Sequence, residues 1–150
     1  MLKKRLIPKL QLKTATLGKT RRKVLVTTIG FRDVLEIGDP VSQARIYQAQ
    51  AADELVFLDL DADPEERELV TSMVRKASEE VFMPFCVGGG VRGVEDFREL
   101  LKSGADKVSV NTAAVRDPEL ISKASQIFGA QCVVLSLDTK TVNSKTTVWI

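Results

Sequence analysis

Residues 84–93 read PFCVGGGVRG, an apolar run that stops on three consecutive glycines, Gly88, Gly89 and Gly90. Glycine loses more backbone freedom on folding than any other residue, so three at one corner carry a cost. A tight strand-to-helix turn is one explanation. A bare main chain that another group must approach closely is the other. The surrounding residues decide between them.

On both sides of this corner, strand-like runs alternate with helical patterns. LIPKLQL (6–12), ELVFLDLDA (54–62), MPFCVGG (83–89), DKVSVN (106–111) and QCVVLSLD (131–138) are rich in Val, Leu and Phe, as buried parallel strands are. Asp39-Pro40, Asp63-Pro64 and Asp117-Pro118 each place an N-cap aspartate before a proline suited to the first helical turn. Glu66, three residues after Asp63, adds a capping box. Gly104 and Gly129 predict the ends of helices that begin near Val94 and Pro118. Repeated strand–helix units predict an α/β fold with a parallel sheet.

Strand parity narrows the architecture. In the first strand Leu6, Leu10 and Leu12 share one face, and Arg5, Ile7, Lys9, Gln11 and Lys13 share the other. The fourth predicted strand repeats this, with Lys107, Ser109 and Asn111 opposite Val108 and Val110. An open doubly wound sheet buries both faces under helices and would not accept a polar row. A closed barrel accepts it, because its inner face runs from a packed lumen to a polar mouth.

Residues 13–38, KTATLGKTRRKVLVTTIGFRDVLEIG, form a long connection with Lys19, Arg21, Arg22 and Lys23 clustered inside it. VLVTTI is β-prone and predicts a small hairpin. By default such a charge run is a solvated face; the functional alternative is a mobile basic flap over an anionic ligand. No aromatics interleave with these charges, which argues against nucleic acid.

Gly88, Gly90 and Gly93 satisfy G-x-G-x-x-G, the dinucleotide fingerprint. That pattern should open the first βαβ unit, with an acid closing the second strand about 20 residues on. Here two units precede it, and Asp106 begins its strand instead of ending it. Glycines at the C-terminal end of a strand also expose amides that receive a phosphate. One strand later, Asn111 and Thr112 fall at the equivalent strand end, where barrels gather phosphate-binding and catalytic groups.

Composition sets the outer limits. The 150 residues are 44% hydrophobic and 28% charged, with a formal net charge of +2, enough for one globular core spanning 1–150. No apolar run reaches the length of a membrane span. The basic start MLKKRLIPKLQLK is interrupted by charges and does not read as a secretory signal. Cys86 and Cys132 lie in apolar runs and read as buried thiols of a reducing, cytoplasmic compartment. There is no histidine. Ser-His and Cys-His pairs are therefore excluded, as are zinc sites that need imidazole.

KRLIP, DELVFLDLDA, MPFCVGGGVRGVEDFRELLKSGADKVSVNTAAVRDPELI and FGAQCVVLSLDTK together resemble the cyclase subunit of imidazole glycerol phosphate synthase, from residue 1 to about 148. The resemblance implies a (β/α)8 barrel, no cofactor and no metal. It also implies a glutamine amidotransferase partner whose ammonia crosses the barrel lumen to a phosphorylated small-molecule substrate. Gly89, Gly90, Asn111 and Thr112 match the family's site for one substrate phosphate, and Lys19 matches the lysine of the first-strand flap. Arg5, Glu54 and Lys107 match three of the four charged residues at the ammonia entrance, and each also opens its strand with inward parity. A structural ion-pair plug would look the same. Asp106 matches a residue facing the partner. Asp138 matches a catalytic aspartate, and its inward parity with Val134 and Ser136 suits acid–base work. Asp59 matches a supporting carboxylate.

Two departures bear on function. The family sets two aspartates across the mouth, whereas this chain has Gln11 in the first strand, and an amide cannot shuttle a proton near neutral pH. Lys9 adds a charge at an inward position that is small and apolar in the family. LQLK resembles instead the paralogues of surface-polysaccharide gene clusters, thought to help amidate a sugar with ammonia from an amidotransferase. A catalytically silent phosphate-binding or docking module is the reading from another class. The second departure is length. A complete barrel needs about 250 residues, so the chain is expected to hold the first five strands and four helices. Open parallel edges are then expected to associate with other copies.

Overall fold

A computed structural model describes residues 3–29, 33–61 and 66–149. Strand β1 (Lys9–Leu17) lies beside β4 (Leu55–Asp59), followed by β5 (Phe85–Gly88), β6 (Lys107–Val110) and β7 (Val133–Leu135). These five pair in parallel and in chain order, with registers such as Gln11↔Leu58, Leu58↔Gly88, Gly88↔Ser109 and Ser109↔Val134. Among these five strands the order never reverses, so they form no doubly wound switch point. The helices α1 (Pro40–Ala49), α2 (Arg67–Glu80), α3 (Val94–Lys102) and α5 (Glu119–Phe128) connect these strands, with a short α4 (Thr112–Arg116) ahead of α5. This is the first-five-strand portion of a (β/α) barrel. Among the described residues, no helix is long and apolar enough to cross a membrane.

Period-2 alternation builds the core. Leu10, Leu12, Leu55, Phe57, Phe85, Val87, Val108 and Val110 point to one face of the sheet. They pack against Val41, Ala44, Val70, Val74, Ala77, Phe97, Leu100, Leu120 and Ala124 of the helices. Phe57 meets Phe85 edge to face, with centroids 5.6 Å apart. The opposite face carries Lys9, Gln11, Leu58, Ser109 and Asn111, which line a cavity. Parity thus separates core from lumen, as the sequence predicts.

The helix signals act locally. Asp39 caps α1 by accepting the Ser42 N–H at 2.8 Å. The Asp117 carboxylate accepts the first amide of α5, that of Glu119, at 3.1 Å. The chain leaves α3 and α5 through Gly104 (φ +112°) and Gly129 (φ +93°). The Asp63 cap and its capping box fall outside the described residues.

The described parts of the connection, residues 13–29 and 33–38, form strands and a tight turn. β1 runs on past the barrel to Leu17, turns at Gly18 (φ +61°) and returns antiparallel as β2 (Thr20–Ile29); β3 (Asp33–Gly38) extends the ladder. Val24, Leu25 and Val26 are buried. Lys23 corrects the expectation of a solvated basic face, because its side chain is fully buried while Arg21 and Arg22 are exposed. A second hairpin, β8 (Asp138–Val142) with β9 (Lys145–Trp149), follows β7. Its turn residues Asn143 (φ +49°) and Ser144 (φ +62°) have the left-handed backbone of a tight hairpin.

Phe57 is fully buried in the helix-covered core, whereas Phe82 is 84% exposed. Phe57→Ala is expected to cost about 3–5 kcal/mol in urea unfolding, and Phe82→Ala less than about 0.5 kcal/mol. Equal costs would contradict this assignment of the core face.

Candidate functional site

The C-terminal strand ends open onto a cavity of about 810 Å³. Lys9, Gln11, Asp59, Gly89, Gly90, Ser109, Asn111, Thr112 and Asp138 line it, with Arg92, Arg116 and Asp117 at the rim. The glycine corner and the Asn111-Thr112 corner therefore share one mouth. Among the described residues, no protein group accepts the main-chain N–H of Gly89, Gly90, Asn111 or Thr112. Four unspent donors beside two arginines and a lysine form an environment suited to an anion.

Gly89 is constrained twice. Its φ of +102° is unfavourable for a side chain, and a Cβ there would overlap the Asp59 carbonyl. Gly88 is closed by a neighbour, since a Cβ would overlap the Ser109 hydroxyl. Gly93 stands in open space with extended backbone (φ −162°). Arg67, at the start of α2, donates to the Gly90 carbonyl at 2.6 Å and pairs with Asp96 at 3.4 Å. Asp96 in turn accepts the Arg92 N–H at 2.7 Å. The corner is braced from outside, leaving its inner amides open.

Across the mouth, Asn111 donates through Nδ2 to Asp138 Oδ2 at 2.8 Å. Its Oδ1 is buried and has no partner among the described residues. Asp138 is exposed to the cavity at the first residue of β8. Gln11, on the wall formed by β1, accepts a hydrogen bond from Thr28 Oγ1 at 3.3 Å. Of Gln11, Asn111 and Asp138, only Asp138 carries a carboxylate, and the Asn111 amide orients it.

Asp59 lies at the end of β4, with its carboxylate turned to Lys23 Nζ at 2.8 Å. Burial pushes the Asp59 carboxyl above its ordinary range, against the opposing effect of Lys23. Burial also acts to lower the Lys23 ammonium, but its bond and charge interaction with Asp59, with further bonds to Glu66 and Asp61, raise it on balance. Lys19 sits in the hairpin turn, exposed, and is not among the residues lining the cavity.

The other end of the strands carries a second charged group. Glu54, 5% exposed, accepts from Lys107 Nζ at 2.7 Å and from Arg5 Nη1 at 3.1 Å. From residue 54 to residue 59 is roughly 16 Å of strand. Cys86 lies between, its thiol pushed up to about 11 by burial, with the Ser109 hydrogen bond working the other way and Glu54 adding to the rise. Asp106 accepts the Phe85 N–H at 2.9 Å and returns its own N–H to the Phe85 carbonyl at 3.1 Å, so it fastens β5 to β6 at this end.

A family model for histidine biosynthesis proteins matches residues 5–150. The chain belongs to that family. It is 48% identical over 140 residues to imidazole glycerol phosphate synthase subunit HisF of Methanococcus vannielii, an alignment covering 93% of this chain and 48% of the relative. The HisF subunit of Lactococcus lactis subsp. cremoris is 50% identical over 140 residues, 93% of this chain and 51% of the relative. That of Methanocaldococcus jannaschii is 47% identical over the same length. The chain spans about half the length of these curated relatives.

Arg92, Arg116 and Arg67 were not singled out from the sequence. Arg92 stands two residues after the glycine triplet, and Arg116 lies one helical turn beyond Thr112. A search for cations at turn spacing from the two corners would have found both.

Gly89→Ala is expected to lower stability by about 2 kcal/mol or more, through strain at a positive φ and overlap with the Asp59 main chain. Gly93→Ala should be near neutral. Urea midpoints that are equal for the two variants would contradict this geometry.

Proposed function

We propose that the chain is the N-terminal half of a cyclase-type barrel that seats a phosphate of its substrate on the amides of Gly89, Gly90, Asn111 and Thr112. The observation that carries this is the convergence of four unspent donors on one cavity, with Asp138 on the same wall. Arg92 and Arg116 supply attractive charge, and Lys19 is assigned to a flap that would have to move to reach the ligand. Asp138, positioned by Asn111, is the acid–base group, and Asp59 supports the seat from behind. At the opposite end, Arg5, Glu54 and Lys107 form the entrance through which a glutamine amidotransferase partner would deliver ammonia, with Asp106 on the docking face. The fit of the cavity is to a phosphorylated small molecule, and the chemistry follows that of imidazole glycerol phosphate synthase.

Gln11 favours a second reading. Its amide accepts from Thr28 and cannot take a proton, so the pair of acids needed for cyclisation is incomplete. With Lys9 beside it in the cavity, the wall formed by β1 suits a different acceptor for ammonia, such as a phosphorylated sugar undergoing amidation. A silent binding module would keep the seat and lose turnover altogether.

Glycerol 3-phosphate at ten times its Kd should stabilise the chain by roughly 1.4 kcal/mol, about 3–5 °C in Tm. Asn111→Ala keeps the main-chain donor but leaves the Asp138 carboxylate unheld beside the seat, and should reduce that shift. In a full-length form, Gln11→Asp should raise cyclase turnover if the first reading holds. No thermal shift in the unmutated chain would overturn the phosphate seat; an unchanged turnover would favour the second reading.

A further inference from the structure

Among the described residues Lys23 is the only buried cation. Its Nζ donates to Asp59 Oδ1 at 2.8 Å, Glu66 Oε2 at 3.1 Å and Asp61 Oδ2 at 3.2 Å, which uses all three of its donors. Asp61 has a second cation in Lys13 at 3.7 Å, and Glu66 has one in Arg21. Asp59 has Lys23 alone among the described residues. Thr14 adds its N–H to Asp61 at 2.5 Å and its hydroxyl to Glu66. The β1–β2 hairpin thus presents Lys13, Thr14, Arg21 and Lys23 to three carboxylates from the end of β4 and the start of α2.

Those carboxylates sit directly behind the glycine corner. The Asp59 main chain is what a side chain at 89 would strike, and Asp59 and Leu60 both line the cavity. Arg67, next in sequence to Glu66, holds the Gly90 carbonyl. Gly89 therefore rests on backbone that the Lys23 cluster fixes, and Gly90 is held by the side chain that follows Glu66.

We infer that Lys23 is a positioning residue for the anion seat: it cancels the Asp59 charge behind Gly89 and ties the hairpin to the backbone that supports the corner. The inference rests on the phosphate-seat reading above. Without Lys23, three carboxylates share two cations, and Asp59 is the one left unpaired. A buried negative charge adjoining the seat opposes an incoming anion, and unit charges within about 10 Å of one another near a protein surface interact strongly enough to change affinity roughly tenfold. Asp59→Asn has the opposite effect, because it removes a negative charge, keeps an oxygen for Lys23 and preserves shape.

Sulfate, a dianion of fixed charge, serves as the probe, with Kd measured at pH 7.5 by calorimetric titration and folding checked by circular dichroism. Lys23→Met should weaken sulfate binding about tenfold or more, and Lys23→Met/Asp59→Asn should restore it to within about threefold of the unmutated chain. Asp59→Asn alone should bind about threefold or more tighter, a gain that a purely structural brace does not predict. It also decides the matter if Lys23→Met fails to fold. Lys23→Met binding sulfate as well as the unmutated chain, or Asp59→Asn binding no tighter, overturns the inference. An unmutated chain that binds no sulfate overturns the seat itself.

Discussion

A parallel strand joined to its neighbours by helices on one side has a single face to bury. The other face must be given to something else. In this chain the buried row is Leu, Phe and Val without interruption, from Leu10 and Leu12 through Phe57, Phe85, Val87, Val108 and Val110. Because side chains alternate, the same constraint commits Lys9, Gln11, Glu54, Lys107, Ser109 and Asn111 to the lumen side. The chemistry of the molecule is confined to that second row and to the two rims where it ends. One rim gathers Glu54 with its two cations; the other gathers amides, arginines and Asp138.

The two ionic groups do different work. The Glu54 group satisfies one buried carboxylate with Lys107 at the start of β6 and with Arg5, which lies ahead of β1 and does not open it as the sequence predicts. The Lys23 group does the reverse, spending one buried ammonium on three carboxylates, and it joins β2 to the end of β4 and the start of α2, which do not pair directly in the sheet. Buried ion pairs give little net stability over apolar packing of the same volume. What they supply here is placement: the hairpin is pinned to the end of β4, and the end of β4 is what Gly89 packs against.

Much of this was legible in the sequence, for a physical reason. Parity and capping are local, so the strand rows, the Asp39 cap and the glycine exits from α3 and α5 follow from residue order alone. The joint position of the glycine corner and Asn111-Thr112 follows as well, because equivalent strand ends of a parallel sheet meet at one rim. The fate of Lys23 was hidden. Its burial depends on the antiparallel register Lys23↔Thr14 and on carboxylates some 36 to 43 residues away, which no local pattern encodes. The β8–β9 hairpin is not among the expected elements, although Asn143-Ser144 between two Thr/Val-rich runs is a turn signal: the apolar run 131–138 predicts one straight strand, whereas β7 stops at Leu135 and a new ladder begins at Asp138.

Gln11 and Asp138 pose the remaining chemical question, but both act on a ligand only if that ligand is held at the mouth they share. The seat is therefore the central claim. Amide ¹H–¹⁵N spectra recorded while inorganic phosphate is titrated test it most directly. The N–H signals of Gly89, Gly90, Asn111 and Thr112 should move together along a single binding curve, while Gly104 and Gly129 at the helix exits stay fixed. Shifts centred on the hairpin turn around Lys19, with those four amides unmoved, would contradict it.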